Sequence, residues 1–186
     1  MEKNNLRITV FGGSCPKPGE QAYEEAYRLG ELIGGAGFTV ITGGYMGTME
    51  AVSRGAAEKG GKVIGVTCDQ IEVWRQVLPN SWVQEEQRYI TQKDRLYALI
   101  ENCDAALVLP GGIGTLAELA IMWSLLQTGA IPIRQLILVG AVWQKMIQNL
   151  FEQLGEYIPE TSRDLISFAA DVNEAFQLLK IESGSE

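Results

Sequence analysis

Two regimes of apolar patterning alternate along the chain. Short, nearly continuous apolar runs are separated by longer stretches in which apolar residues recur at helical spacing. Leu6 to Phe11 reads as a first strand, Phe38 to Ile41 as a second and Lys62 to Thr67 as a third. Ala105 to Leu109, Leu136 to Gly140 and a short Leu165 to Phe168 follow. Between them, Glu20 to Ile33 reads as a helix with Ala22, Ala26, Leu29 and Ile33 on one face, closed by Gly34, Gly35 and Gly37. Further helices are expected up to Glu58, over Lys93 to Asn102, up to Thr128, over Trp143 to Leu154 and over Asp171 to Leu179. Residues 69 to 90 show no clear period, and an irregular excursion with about one helical turn is expected there.

Strand–helix units with apolar strands predict a parallel sheet covered on both faces. The expected fold class is α/β: a Rossmann-like, doubly wound parallel sheet in three αβα layers. One domain over 1–182 accounts for the pattern, with 183–186 as a frayed tail. In such sheets ligands bind beyond the carboxyl ends of the strands. Three glycine loops fall there: Gly12-Gly13-Ser14, Gly43 to Gly47, and Gly111 to Thr115.

Composition narrows the chemistry. The chain has 186 residues and no histidine, which excludes a Ser-His-Asp triad, a Cys-His dyad and a His-ligated zinc. A formal charge of −8 argues against non-specific nucleic-acid binding but leaves room for a local anion pocket. Cys15, Cys68 and Cys103 are odd in number and form no CxxC, so reduced thiols in a cytoplasmic protein are expected. No apolar run reaches the roughly 18 residues of a membrane span, and the N-terminus lacks the layout of a signal peptide.

The strongest local signal is Pro110-Gly111-Gly112-Ile113-Gly114-Thr115-Leu116-Ala117-Glu118, which follows a strand and opens a helix. Glycines let a ligand approach the backbone, and free N–H groups at a helix start attract phosphate. Thr115 adds a hydroxyl donor, and Glu118 falls beside the anion rather than on it. The plain structural alternative is a turn with Glu118 closing a capping box on Thr115. Thr42 to Glu50 repeats the strand–loop–helix setting, so Gly12, Gly13, Ser14, Gly43, Gly44, Gly47 and Glu50 are candidate ligand contacts. Neither glycine loop is a P-loop, and neither carries the dinucleotide fingerprint. Arg95 opens the helix before the fourth expected strand, within reach of the same edge. Cys15 has no positioned base to activate it. Trp74, Trp82 and Tyr89 suit either a base-binding wall or packing, and Trp123 and Trp143 suit a core or a dimer contact.

Together these residues resemble the Lonely Guy family, the cytokinin riboside 5′-monophosphate phosphoribohydrolases. Its signature, P-G-G-x-G-T-x-x-E, is met by Pro110, Gly111, Gly112, Gly114, Thr115 and Glu118. Arg95 falls on the arginine of the family's Arg-Lys pair. The turn from Gly60 to Val66 corresponds as well, and the likeness runs from the first strand to about Leu150. Leu96 stands where the family has lysine, Thr42 and Glu50 replace glycines, and Ile121 replaces a common glutamate. The run Gly47 to Ala51 is more similar to related carrier proteins for molybdenum cofactor, which share the fold.

The resemblance implies cleavage of the N-glycosidic bond of a purine nucleoside 5′-monophosphate, giving free base and ribose 5-phosphate. It implies Arg95 and Glu118 as catalytic residues, with Gly111, Gly112, Gly114 and Thr115 holding the phosphate. No metal or other cofactor is needed for that reaction. The expected partner is a phosphorylated small molecule, nucleotide or pterin, and the chain is expected to form a homodimer or higher homo-oligomer, with Trp123 near the interface. A carrier that binds without turnover, and a nucleotide sensor acting through its oligomeric state, are the competing classes.

Overall fold

The computed structural model describes residues 6–181, so the expected tail at 183–186 lies outside the described residues. Seven strands form one parallel sheet: β1 (Arg7–Phe11), β2 (Thr39–Thr42), β3 (Val63–Cys68), β4 (Glu85–Tyr89), β5 (Ala105–Val108), β6 (Gln135–Val139) and β7 (Ser167–Ala169). Their spatial order is β4-β3-β2-β1-β5-β6-β7. The chain first winds outward from β1 to one edge, then returns to β1's other side at β5 and winds to the opposite edge. This is the expected doubly wound α/β fold.

Alternation along the strands builds two cores. Ile8 and Val10 of β1, with Leu107 of β5 and Ile137 of β6, pack beneath α1 (Gln21–Gly35), α2 (Thr48–Glu58) and α8 (Val172–Ile181). Phe11, Val108 and Leu138 turn the other way, onto α4 (Gln92–Glu101), α5 (Ile113–Gln127) and α6 (Ala141–Leu154). Strands buried on both sides explain why their sequences are continuously apolar. On α1 the buried face differs by one residue from expectation. Tyr23 continues the line of Ala26, Leu29 and Ile33, and Ala22 is exposed.

Residues 69–90 are more regular than their sequence. They form α3 (Asp69–Arg75) and β4, the edge strand. The β4 sequence, Glu-Glu-Gln-Arg-Tyr, carries no apolar signal because polar contacts hold it. Thr67 donates to Glu86 at 2.6 Å, Lys62 pairs with Glu85 at 2.6 Å, and Arg88 spans Asp69 and Glu72. Such charge on an edge strand also discourages pairing with other chains. A 3-10 turn (Gly155–Tyr157) and α7 (Glu160–Arg163) follow α6. Trp123 donates its indole N–H to the Ser162 carbonyl at 2.6 Å and meets Phe151 edge-on, so this ring anchors the α7 segment within the chain.

Glycine sets how closely α1 and α2 cross. A Cβ at Gly30 would run into the Val52 carbonyl, and one at Gly55 into the Tyr27 carbonyl. Gly55→Ala is therefore expected to overpack the crossing and cost about 1–3 kcal/mol. Urea unfolding checks this, and an unchanged midpoint would show that the helices separate freely.

Candidate functional site

The winding direction reverses between β1 and β5, whose following helices, α1 and α5, lie on opposite faces of the sheet. A crevice opens at such a switch point. All three glycine loops meet there. The Gly13 N–H donates to the Pro110 carbonyl at 3.3 Å, joining the first loop to the third. The Gly13 carbonyl accepts from the Thr48 N–H at 2.9 Å and the Thr48 hydroxyl at 3.1 Å, joining the first to the second. Side chains have no room in this knit. A Cβ at Gly12 would strike the Thr48 hydroxyl, and one at Gly47, where φ is 75°, would strike the Gly13 carbonyl.

The third loop differs at its tip. A Cβ at Gly112 or Gly114 would meet nothing within 4 Å, so the backbone there is open. Gly112 is the N-cap of α5 and no side chain caps that turn. The first N–H groups of the helix are thus left for an external acceptor. Thr115 is 3% exposed, its hydroxyl packed under Gly111, so it supports the loop from behind. The Thr115–Glu118 capping box does not form. Glu118 turns toward Arg95 instead.

Arg95 is 6% exposed and held on several sides. Its Nε donates to the Val66 carbonyl at 2.7 Å and its Nη2 to the Gly43 carbonyl at 3.1 Å. The guanidinium lies 5.6 Å from the Tyr45 ring centre, and Nη1 is 3.8 Å from a Glu118 oxygen. Gly43 is glycine because a Cβ there would occupy the place of Arg95 Nη2. The Tyr45 hydroxyl is fixed in turn, accepting from the Cys68 N–H at 2.9 Å and donating to its carbonyl at 3.1 Å. Thr42 sets the second loop by accepting from the Gly44 N–H at 3.1 Å.

The Glu118 side chain is only 12% exposed. Burial pushes its carboxyl up to about 7, and the Arg95 charge opposes that shift without cancelling it. A carboxylate that titrates near neutrality, facing a fixed cation in a crevice, is suited to proton exchange and to stabilising a developing positive charge.

The expected residues converge, with exceptions. Gly12, Gly13, Ser14, Gly43, Gly44 and Gly47 lie in the two loops knit together here, Gly112 and Gly114 present open backbone with Gly111 packed on Thr115 behind it, and Arg95 and Glu118 form the buried ion pair. Glu50 faces α1, where it helps raise the pKa of Tyr23, and is not part of the Arg95–Glu118 pair. Leu96 and Ile121 pack against the second core. Trp74, Trp82 and Tyr89 share no pocket: Trp74 is exposed, Trp82 lies under Arg54 of α2, and Tyr89 packs against the core on the other face. Tyr45 and Arg75 reach the site without having been picked out in the sequence. Tyr45 sat unmarked inside a glycine run, and Arg75 lies in the segment that showed no period.

Comparison with known proteins places the family and the fold. The model of the SLOG cluster4 family matches residues 5–161. A cytokinin riboside 5′-monophosphate phosphoribohydrolase of Mycobacterium tuberculosis is 32% identical over 63% of this chain and 62% of its own length, so the match spans just under two thirds of that relative. One from Arabidopsis thaliana is 29% identical over 97% of this chain and 85% of its own. Among solved structures, the molybdenum cofactor carrier protein of Chlamydomonas reinhardtii superposes with a TM-score of 0.73 at 22% identity, over 97% of this chain and 99% of that one. That likeness is one of fold. A shared family model over most of the chain is more specific, and it follows that this chain belongs to the SLOG cluster4 family.

Proposed function

We propose that the protein is a nucleoside 5′-monophosphate phosphoribohydrolase, releasing free base and ribose 5-phosphate. The observation that carries this reading is the buried Arg95–Glu118 pair, at 3.8 Å, beside an uncapped glycine loop at the switch point. A 5′-phosphate on the open backbone of Gly112 to Gly114 would hold the ribose against Glu118. The C1′–N bond then breaks with its electron pair leaving on the base. The sugar passes through an oxocarbenium-like state that the Glu118 carboxylate stabilises. Water adds its oxygen to C1′, and the proton it loses travels to the base nitrogen, with Glu118 as relay. Arg95 is fixed by two carbonyls and a ring, so it orients the carboxylate without reorganising.

One observation favours a second reading. Leu96, next to Arg95, packs against the core and adds no charge to the crevice. A site with one committed cation suits a carrier that holds a phosphorylated pterin or nucleotide without turnover. The same reading of the chain assigns it to the cytoplasm, which the free thiols of Cys15, Cys68 and Cys103 support. No helix among the described residues is long and apolar enough to cross a membrane.

A homodimer belongs to this proposal. The α5 sequence is apolar on nearly every face, yet only Thr115, Leu119, Met122 and Leu126 are buried within the chain. Ile113, Leu116 and Ala120 remain exposed on it, and Val142 and Met146 of α6 are exposed as well. A helix apolar all round is ordinarily covered on all sides. Light scattering is expected to give twice the chain mass of 20.4 kDa, and Ala120→Arg to return it to the monomer. A monomeric native protein would contradict this.

Two further outcomes test Glu118. Chromatography of a panel including AMP and isopentenyl-AMP should show free base, and Glu118→Gln should slow release by roughly 10²–10⁴-fold. No release from any monophosphate despite binding would favour the carrier. The second outcome is pH-linked. A carboxyl raised from 4.5 to about 7 in the folded state costs stability as pH climbs through that window, and the cost levels off above it. The melting temperature of Glu118→Gln should therefore gain on the native protein between those pH values and hold its lead above them. A constant difference would mean that Glu118 titrates normally.

A further inference from the structure

We propose that Arg75 recognises the phosphate of the ligand and sets the preference for phosphorylated over unphosphorylated compounds. The inference rests on the phosphorylated-ligand part of the function proposed above, and it holds for an enzyme or a carrier alike. Arg75 is the last residue of α3, yet its guanidinium Nη1 donates to the Ser14 hydroxyl in the first glycine loop at 2.7 Å. Ser14 is where the loops meet. A Cβ at Gly47 would lie 2.6 Å from its Cα, and its neighbour Gly13 abuts Gly111.

Arg75 differs from the arginines beyond Arg7, which opens β1 at the start of the strand. Arg28, Arg54, Arg88 and Arg95 each face a carboxylate. Arg134 and Arg163 are taken up by backbone carbonyls. Among the described residues no carboxylate pairs with Arg75. Its contacts are the Ser14 hydroxyl and the face of its neighbour Trp74, 4.7 Å from the ring centre. Arg95 is buried and already committed, with Nε and Nη2 on the Val66 and Gly43 carbonyls and Nη1 facing Glu118. In a chain of net charge −8, Arg75 is a cation at this edge with no carboxylate partner among the described residues, and it already donates to the first glycine loop.

Its position is fixed although α3 has no buried residue. The helix follows directly on Cys68, which is clamped by Tyr45, and is closed by Gln76 with φ 53°. Asn80 then donates to the carbonyls of Gly44 and Tyr45 at 3.0 and 2.8 Å. Both ends of the segment are thus tied to the second loop, and Arg75 projects from between them onto the first. A guanidinium offers paired donors that match two phosphate oxygens. The Ser14 hydroxyl accepts from Arg75 and keeps its own proton to donate to the same phosphate group. The open N–H groups of the third loop supply the remaining donors.

Ribose 5-phosphate tests this directly, since it has no glycosidic bond to cleave. Calorimetric titration should show that the native protein binds it more tightly than ribose. Arg75→Ala should weaken ribose 5-phosphate binding at least tenfold, leave adenosine binding unchanged, and keep the melting temperature, since α3 buries nothing. Arg75→Lys should recover part of the loss. Binding of ribose 5-phosphate by Arg75→Ala within twofold of native would overturn the inference while leaving the function proposal intact. A native protein with no preference for ribose 5-phosphate over ribose would overturn both. A tenfold loss in Arg75→Ala, with no base released from any monophosphate by the native protein, would sustain the role of Arg75 and remove the hydrolase reading.

Discussion

Placing Arg95 almost wholly inside the protein is the constraint around which the rest of the site is organised. A guanidinium buried without partners would be prohibitively costly, so every neighbour answers to it. The Val66 carbonyl at the end of the sheet, the Gly43 carbonyl and the Tyr45 ring are all positioned by it, and Gly43 can bear no side chain for its sake. Tyr45 in turn is locked to Cys68. The consequence for chemistry is on the other side of the cation. Glu118 is held in a dry setting next to a charge that cannot move away, and the balance of burial against Arg95 leaves its carboxyl near neutrality.

Two arginines divide the work at this edge. Arg95 is interior, committed and rigid, and its contribution is orientation. Arg75 is exterior, held by Ser14 and Trp74 without a carboxylate partner, and recognition is the contribution proposed for it. The glycine loops separate the two, with the second loop lying over Arg95 and the first under Arg75. Under the proposed function, this arrangement would let an acidic chain of net charge −8 take a phosphorylated ligand locally.

Much of the fold could be read from the chain because its strands are buried on both faces. β5 is wholly apolar and β1 and β6 are largely so, with Thr9 buried within β1. β4 escaped for the opposite reason. It sits at the edge, half exposed, and is held by ion pairs and a Thr67–Glu86 hydrogen bond that leave no periodic trace. At the site, glycine runs after strands identified the three loops, since tight loops need glycine wherever backbones touch. What spacing could not give was side-chain direction. Glu118 was equally compatible with a capping box, Glu50 with the crevice, and Trp123 with an interface. Only the packing of α5, α2 and α7 decides where each points.

The central claim is that Glu118 is a buried carboxyl poised near neutrality by its surroundings. Carbon-detected NMR of the glutamate carboxyl groups measures this directly, with Glu118→Gln identifying the signal. A midpoint near 7, well above the ordinary 4.5, is the expected result. A midpoint at the ordinary value would mean that the carboxylate is solvated and that the Arg95–Glu118 pair is not the organising element of the site.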